Sequence, residues 1–502
     1  MTVTAMTGIA VAVLAITVIV LLAGSAAAEV AAADGPVAAV AERFAITIHE
    51  DLQPVATLDD YLGYALQHNQ ELAAEQARWR ASRQRRAQVT ALPDLELRYT
   101  EYLESVETRV GPQQRGVGLA QGIPWPGLLS ARGRQADARA SAAGARVTAA
   151  ALTVLHDVRA AYWELAYLES TIEVTREHFQ LLRQWEQVAR SRYAAGRGDY
   201  ADVVRAQVEL GTLEDRLTSL EDRRPSLRAI LNVALGRSVA APVVTPSDLA
   251  AIAAPGGAAD TADAGPEPEV PSQLPDGLDP VRLLAENPEL DALRSEEESF
   301  GHARTAAVRE GYPDFGVGVD WIQTGAARME GVSDSGKDPV MARVMVNLPL
   351  WRGKYDALRE EADAGRVAAA ATVRDRERAL AARLADALYG YRDAWRRSRL
   401  YGPTLVPKGQ QSLEAARASY EAGRGSFFGV VDAERVLLEL ELSYRRALAD
   451  RLVRQAEIEM LTGLPLSAAL MAGVTLTDAP DTDAPDTNAP DATSPAQEDN
   501  DR

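Results

Sequence analysis

The sequence has 502 residues, no cysteine and a formal net charge of −19. Its length allows about two to four domains, and its acidic balance excludes nucleic acid as a partner, because the chain could not replace the counterions of phosphate groups. The lack of cysteine excludes disulfides, a thiol nucleophile, cysteine-based metal sites and the usual acceptor of an N-terminal lipid anchor.

The N-terminal segment has the pattern of a secretory signal peptide. An apolar run at 9–23 is followed by three alanines at 26–28, which predicts a signal peptide over 1–28. The basic residues expected before the apolar run are missing, so a retained membrane helix is the alternative, since residues 5–28 are long enough to span a bilayer. No later apolar run has that length. Any further entry into a membrane would therefore have to use β-strands.

After a weakly patterned N-terminal arm (29–56), residues 57–237 are predicted to form a first repeat unit. Thr57, with two acidic residues in the next turn, is typical of a helix N-terminus and predicts a helix over about 57–89. The stretch LPDLELRYTEYL then alternates apolar and polar residues, as half-buried strands do. We predict strands at 93–109 and 113–123, a long helix at 128–193 and a shorter helix at 200–236.

A second repeat unit (278–466) follows a linker at 238–277 that is rich in Pro, Gly, Ala and acidic residues. NPEL corresponds to NQEL of the first unit, YPDFGVGVDW to LPDLELRY, and NLPLWRG to GIPWPG. We predict a helix, strands at 313–325 and 340–350, a long helix at 354–421 and a last helix at 427–462. Pro403 and Pro407 predict a kink in the long helix. The acidic, Pro-rich tail at 467–502 is expected to be disordered.

The same turn motif follows the long helix of both repeat units. YAAGRGDYADVVRA at 193–206 and YEAGRGSFFGVVDA at 420–433 are identical at eight of fourteen positions. A motif repeated at the same place in two halves of a chain indicates an internal duplication. We expect the glycines of both turns to supply the positive φ that a tight helix reversal needs. These glycines are Gly196, Gly198, Gly423 and Gly425.

A single copy of such a chain leaves its strands and helices incomplete. Four strands cannot close a barrel, and open strand edges are not tolerated in hydrocarbon. The first long helix would measure roughly 100 Å, so it must pack on other helices as a coiled coil rather than in a globular core. Three copies would contribute about twelve strands, enough to enclose water. We therefore expect a mainly α protein with a small β part that assembles around an axis as a conduit.

These motifs resemble those of the TolC-type outer-membrane efflux proteins. The resemblance rests on NQEL and NPEL, the PD before the strands, IPWPG and LPLWRG, and the two AGRG turns, and it covers about residues 57–466. It implies a homotrimer whose twelve-stranded β-barrel lies in outer-membrane lipid and continues as an α-helical tunnel through the periplasm. It also implies a periplasmic adaptor protein and an inner-membrane pump of the RND or ABC type as partners, and no cofactor. QGIPWPG is most similar to the heavy-metal branch of the family, and export of heavy-metal cations or drugs is the implied function.

The resemblance also gives roles to residues around the two turns. Asp432 matches an acidic position whose three copies would ring the closed end of the tunnel, where they would repel anions and attract cations. Asp202 and Tyr420 match positions that link helices and hold the aperture shut. The partner arginine of the family falls at Gly425, and the adjacent Arg424 is a candidate substitute. The alternative for each charged residue is a solvated side chain near a turn.

Other functional classes find little support in the sequence. No G-x-S-x-G, P-loop or HExxH motif occurs, so an enzyme is not expected. The five histidines show no i, i+3 or i, i+4 pairing, and no metal site is expected. Met341 and Met345 share a strand face, where packing or a channel lumen is favoured over a thioether site for Cu(I). A soluble periplasmic coiled-coil adaptor or scaffold is the rival interpretation, and it predicts no strands at 93–123 and 313–350.

Overall fold

The computed structural model describes residues 35–48, 52, 57–244, 249 and 279–469. The predicted signal peptide, most of the predicted arm and linker, and residues 470–502 of the predicted tail lie outside the described residues. The helices are α1 (Pro36–Arg43), α2 (Leu58–His68), α3 (Gln70–Thr90), α4 (Leu128–Ala194), α5 (Tyr200–Ala234), α6 (Pro280–Leu283), α7 (Pro288–Glu310), α8 (Arg352–Leu400), α9 (Val406–Glu421) and α10 (Phe427–Thr462). The strands are β1 (Glu96–Thr108), β2 (Gly111–Ile123), β3 (Asp314–Thr324) and β4 (Val340–Asn347). The chain is thus mainly helical with one small sheet.

Two of the predicted helices are interrupted in the structure. The helix expected over 57–89 is divided at Asn69, whose side chain accepts a hydrogen bond from a backbone N–H three residues later and so starts α3 as a new helix. The helix expected over 354–421 is divided by a π-helical segment, Tyr401–Leu405, that contains Pro403. Proline has no backbone N–H to donate, so the regular hydrogen-bond ladder of an α-helix cannot continue through it.

The four strands form one antiparallel sheet in the order β1-β2-β3-β4, and its register brings apolar residues from all four strands together on one face. Two successive rows across this face are Leu97, Leu119, Val319 and Ala342, and Tyr99, Val117, Trp321 and Val340. Leu97 is 71% exposed and Val340 65% exposed. Because large apolar side chains are seldom left uncovered in such numbers, this face is built to meet an apolar environment.

The opposite face of the sheet is polar. Asp320 on β3 and Arg343 on β4 form an ion pair with an N–O distance of 2.7 Å. Met341 lies opposite Asp320 in the register, and Met345 follows on the same face. Both methionines therefore belong to the polar side of the sheet.

The long helix α4 lies at the centre of the helical part. It contacts α3 and α7 near its start, and α5 and α10 toward its end. In addition, α8 packs on α7 and α10, and α9 packs on α10. The heptad positions Leu165 and Ile172, together with Leu182, are at most 1% exposed. The apolar stripe of α4 therefore forms the core of this coiled-coil packing.

The two repeat units close with the same contact. Asn69 caps α3, and its side-chain amide donates a hydrogen bond to the Ala234 carbonyl at the end of α5, at 3.0 Å. Asn287 caps α7, and its amide donates to the Leu461 carbonyl at the end of α10, at 2.7 Å. The asparagines of NQEL and NPEL thus make equivalent contacts in the two halves, as an internal duplication predicts.

The observed strands contradict the rival interpretation of a coiled-coil adaptor or scaffold. That interpretation predicts no strands at 93–123 and 313–350, whereas β1 and β2 occupy the first range and β3 and β4 the second. Within the described ranges, no helix is both long enough and apolar enough to cross a membrane.

Candidate functional site

The two AGRG turns lie side by side at the far end of α4, whose 67 residues separate them from the sheet by about 100 Å. Residues of both turns line one open groove of about 580 Å³. Five residues predicted for the site line this groove: Gly198, Asp202, Tyr420, Gly423 and Gly425. The groove thus combines residues from both halves of the duplication.

Both turns use the same backbone geometry. Gly196 has a φ of +68° and Gly423 a φ of +71°, in the left-handed region that a side chain disfavours. The Gly196 N–H donates to the Tyr193 carbonyl at 2.9 Å, and the Gly423 N–H donates to the Tyr420 carbonyl at 3.0 Å. One positive-φ glycine in each turn therefore ends the long helix and reverses the chain.

The expectation that all four glycines adopt a positive φ is wrong for Gly198 and Gly425, which are not among the positive-φ residues of the described chain. These two positions need space instead. A Cβ on Gly425 would lie 2.7 Å from Ser419 Oγ and 3.0 Å from Ser419 Cβ, and a Cβ on Gly198 would lie 3.1 Å from Arg192 Cβ. The second glycine of each turn thus allows the returning chain to pass close to the helix that it leaves.

Arg192, which the sequence did not single out, joins the two turns. Its guanidinium donates a hydrogen bond to the Tyr420 carbonyl at 2.7 Å and lies over the Tyr420 ring, 4.5 Å from its centroid. Tyr420 is 4% exposed, and its hydroxyl is buried without a hydrogen-bond partner among the described residues. Burial, and then the charge of Asp202, raise the pKa of Tyr420.

Asp202 lies half-buried in the first turn of α5 and lines the same groove. Burial and the neighbouring Asp199 raise its pKa, whereas Arg205 and Arg192 oppose the shift. Among the described contacts no hydrogen bond joins Asp202 to Tyr420. The two residues are therefore near each other, but within one chain Arg192 provides the direct link.

Asp432 and Arg424 do not line this groove. Asp432 is exposed on the second turn of α10, next to Arg435, which pairs with Glu209 on α5 at 2.7 Å. Arg424 is exposed in the second AGRG turn, and its side chain has no ion pair or hydrogen bond within the described residues. Within the described chain Arg424 thus makes no link of its own, and its role as a substitute for an arginine at the position of Gly425 stays a prediction.

A second group that the sequence analysis missed lies in the coiled coil above the turns. His178 on α4 is buried between Glu434 and Glu441 of α10. A local signal exists, because His178 precedes Leu182 by four residues and so shares its buried face. The partners could not be identified, since more than two hundred residues separate them from His178 in the sequence.

No group of three or more His, Asp or Glu side chains in the described part of the chain is arranged to hold a metal ion. His178 contacts its two carboxylates through opposite ring nitrogens. The three groups therefore do not converge on one point, as metal ligands must.

Comparison with known proteins places this geometry in a family. The family model described as outer membrane efflux protein matches residues 62–237 and 280–464. The fold is similar to the outer-membrane channel OprN (TM-score 0.65, 19% identity, 82% of this chain and 90% of that one). It is also similar to VceC from Vibrio cholerae (0.64, 19%, 82% and 96%) and to the open state of MtrE from Neisseria gonorrhoeae (0.64, 18%, 82% and 89%). No curated protein matches the sequence. Because the family model covers both repeat units and most of the chain, the protein belongs to the outer membrane efflux protein family and is an outer-membrane protein.

Proposed function

We propose that this protein is the passive exit duct of a tripartite efflux system, and that it conducts solutes from the periplasm to the outside without catalysis. The observation that carries the proposal is the sheet, whose one face is apolar and exposed while the other is polar. A barrel made from such sheets would present its apolar face to lipid and its polar face to a water-filled lumen.

The dimensions of the apolar face fit the thickness of a membrane. Its residues on β3 run from Phe315 to Trp321, which is about 20 Å of strand, close to the roughly 25 Å band of outer-membrane barrels. The next row is polar, formed by Glu101, Arg115 and Gln323. At the opposite edge Trp125 stacks on the ring of Tyr312, and Trp351 is 82% exposed. Such aromatic residues are typical of the membrane–water interface.

The free edges of the sheet support a trimer. Within the described residues, β1 and β4 each pair with a neighbour on one side alone. Unpaired edges are unfavourable in hydrocarbon, so β1 of one copy would pair with β4 of the next. Three copies would close a twelve-stranded barrel, and the long helices would continue it as a tunnel through the periplasm.

At the far end of this tunnel the two turns would form the closed aperture. Three copies of the exposed Asp432 would ring it, and the contact of Arg192 with Tyr420 beside Asp202 would hold the turns together. Arg424, which has no side-chain partner within one described chain, would reach a neighbouring copy. The groove between the turns would be the contact surface for the periplasmic adaptor, with an RND or ABC-type pump below it. The cargo would be heavy-metal cations or drugs, selected by the pump.

The proposal is tested by purifying the processed protein in mild detergent and reconstituting it in planar bilayers. We expect a particle of three chains that conducts ions. In the same recordings Asp432→Ala should raise the conductance or weaken block by cations, whereas Asp215→Ala, an exposed change on α5, should do neither. A monomer with a native circular dichroism spectrum and no ion conduction would contradict the duct, and unchanged block in Asp432→Ala would remove this residue from the aperture.

A further inference from the structure

A buried charged cluster lies between the helices above the two turns, and the proposed aperture does not use it. His178 on α4 is 5% exposed, and Glu434 on α10 is 4% exposed. The His178 Nδ1 lies 2.7 Å from Glu434 Oε1, and its Nε2 lies 3.1 Å from Glu441 Oε2. One imidazole ring therefore contacts a carboxylate on each side.

This geometry favours a doubly protonated ring. A neutral imidazole has a single N–H and could donate to one carboxylate alone, which would leave the other carboxylate facing the lone pair of the unprotonated ring nitrogen. The Nε2 contact with Glu441 is a hydrogen bond, whereas the Nδ1 contact with Glu434 is poorly aligned and acts as an ion pair. Burial alone would lower the pKa of His178, but the contacts with both glutamates outweigh it and raise the pKa to about 9.

Three helices contribute charged groups around the ring. Besides the two glutamates of α10, Glu177 lies beside it on α4, and Glu414 and Arg417 face it from α9 across a groove of about 330 Å³. An Arg417 guanidinium nitrogen lies 3.4 Å from Glu434 Oε2, so Glu434 is held between two cations. The groove gives solvent protons a route to the cluster.

The position of the cluster gives it a mechanical role. One turn joins α4 to α5, and the other joins α9 to α10; we call these pairs the first hairpin (128–234) and the second hairpin (406–462). His178 precedes Ala195 of the first turn by 17 residues, or about 25 Å of helix. Glu434 and Glu441 are one heptad apart on the same face of α10. A shift of the second hairpin along or away from α4 would separate both carboxylates from their shared cation.

We propose that His178 is a positioning residue of the closed channel, and that its imidazolium holds the second hairpin against α4. This inference rests on the proposed function, and it assigns the closed state a proton-dependent contact in the interior of the coiled coil. The contact is fully formed below the ordinary histidine pKa of 6.5 and is lost as the pH rises through about 9. Loss of the proton leaves two carboxylates, that of the buried Glu434 and that of the partly exposed Glu441, facing a neutral ring, which favours separation of the hairpins.

The test is the open-to-closed ratio of single channels in planar bilayers, recorded as a function of pH. In the wild-type channel we expect the ratio to rise as the pH passes about 9. In His178→Gln we expect it to be at least about tenfold higher already at neutral pH, since one pKa unit corresponds to a factor of ten, and to lack the step. His156→Gln on the same helix, whose ring Nδ1 pairs with the adjacent Asp157 at 2.9 Å, is the matched control and should keep the wild-type profile.

A second variant keeps the proposal testable if His178→Gln does not fold. The triple variant His178→Gln, Glu434→Gln, Glu441→Gln removes the imidazolium together with both of its carboxylates and leaves Arg417 at the groove, so we expect a folded trimer that is open more often and has no step near pH 9. A folded His178→Gln or triple variant that stays closed with the wild-type pH profile overturns the role of His178 but leaves the duct intact. A wild-type protein that conducts no ions contradicts the proposed function itself.

Discussion

Tyr420 contributes its ring and its backbone carbonyl to the contact between the two turns, because Arg192 lies over the ring and donates to the carbonyl. Its hydroxyl is buried and lacks a partner among the described residues. Leaving a buried hydroxyl unsatisfied costs about 1–3 kcal/mol. The resemblance suggests that Tyr420 links helices through its hydroxyl. In this chain its ring and its backbone carbonyl make the contact with Arg192.

This distinction predicts opposite results for two variants at the same contact. Tyr420→Phe keeps the ring and the carbonyl and removes the unsatisfied hydroxyl, so thermal unfolding of the purified protein should be unchanged or occur at a slightly higher temperature. Arg192→Ala removes the hydrogen bond and the cation–π contact, which we expect to lower stability by about 1–2 kcal/mol and to increase ion leak in bilayers. A leaky Tyr420→Phe channel would show that the hydroxyl has a partner in the assembly, and the link would then have to be reassigned.

The turns between helices show what local sequence determines and what it does not. The long helix expected over 128–193 is Leu128–Ala194, and the helix expected over 200–236 is Tyr200–Ala234. These bounds could be predicted because glycines end the helices and Asp199 caps the next one. The break at Asn69 was missed because a capping asparagine inside a continuous apolar pattern leaves the helical periodicity unchanged.

Contacts between elements that lie far apart in the sequence could not be predicted from it. His178 meets Glu434 and Glu441 because two repeat units pack against each other, and no periodicity within either unit reports their relative register. Arg192 meets the ring of Tyr420 for the same reason, although Tyr420 begins the second turn motif and Arg192 directly precedes the first. The duplication predicts that equivalent turns are neighbours, whereas the pairing of side chains depends on the packing itself.

Three glycines, two in the second turn and one inside α5, should respond differently to replacement by alanine. Gly423→Ala places a side chain at a φ of +71°, which should cost about 1–2 kcal/mol, and Gly425→Ala brings a Cβ against Ser419, which should cost about 1–3 kcal/mol. Gly211→Ala lies inside α5 with open space around it, so it should stabilise by about 0.5–1 kcal/mol. Thermal or denaturant unfolding of the three variants measures the sign. A destabilising Gly211→Ala would indicate that another chain covers this position in the assembly.

At the scale of the whole molecule, α3 and α8, the helices next to the two edges of the sheet, each leave a row of exposed residues on one side, which we call a seam. In α3 the exposed residues Ala77, Ala81 and Gln84 repeat with helical spacing on one side. In α8 the exposed residues Ala357, Glu360 and Ala364 do the same. Because α4 and α7 lie between α3 and α8 within one chain, these seams would meet only between copies, directly below the paired edges of β1 and β4.

The distances of these residues from the helix ends nearest the sheet predict which of them face each other across that seam. Gln84 lies six residues before the end of α3 and Ala357 five after the start of α8, while Ala77 and Ala364 lie thirteen and twelve residues from the same ends. Since the chain has no cysteine, the pairs Gln84→Cys with Ala357→Cys and Ala77→Cys with Ala364→Cys can be oxidised without background. We expect both pairs to give covalently linked multimers of the chain on denaturing gels. In the mismatched pair Ala77→Cys with Ala357→Cys, the two cysteines would be offset by about 10 Å along the helix axis. Because a disulfide requires Cα atoms within about 7 Å, we expect this pair to remain monomeric on the same gels. Equal cross-linking of matched and mismatched pairs, or of neither, would place the contact between copies elsewhere than at α3 and α8.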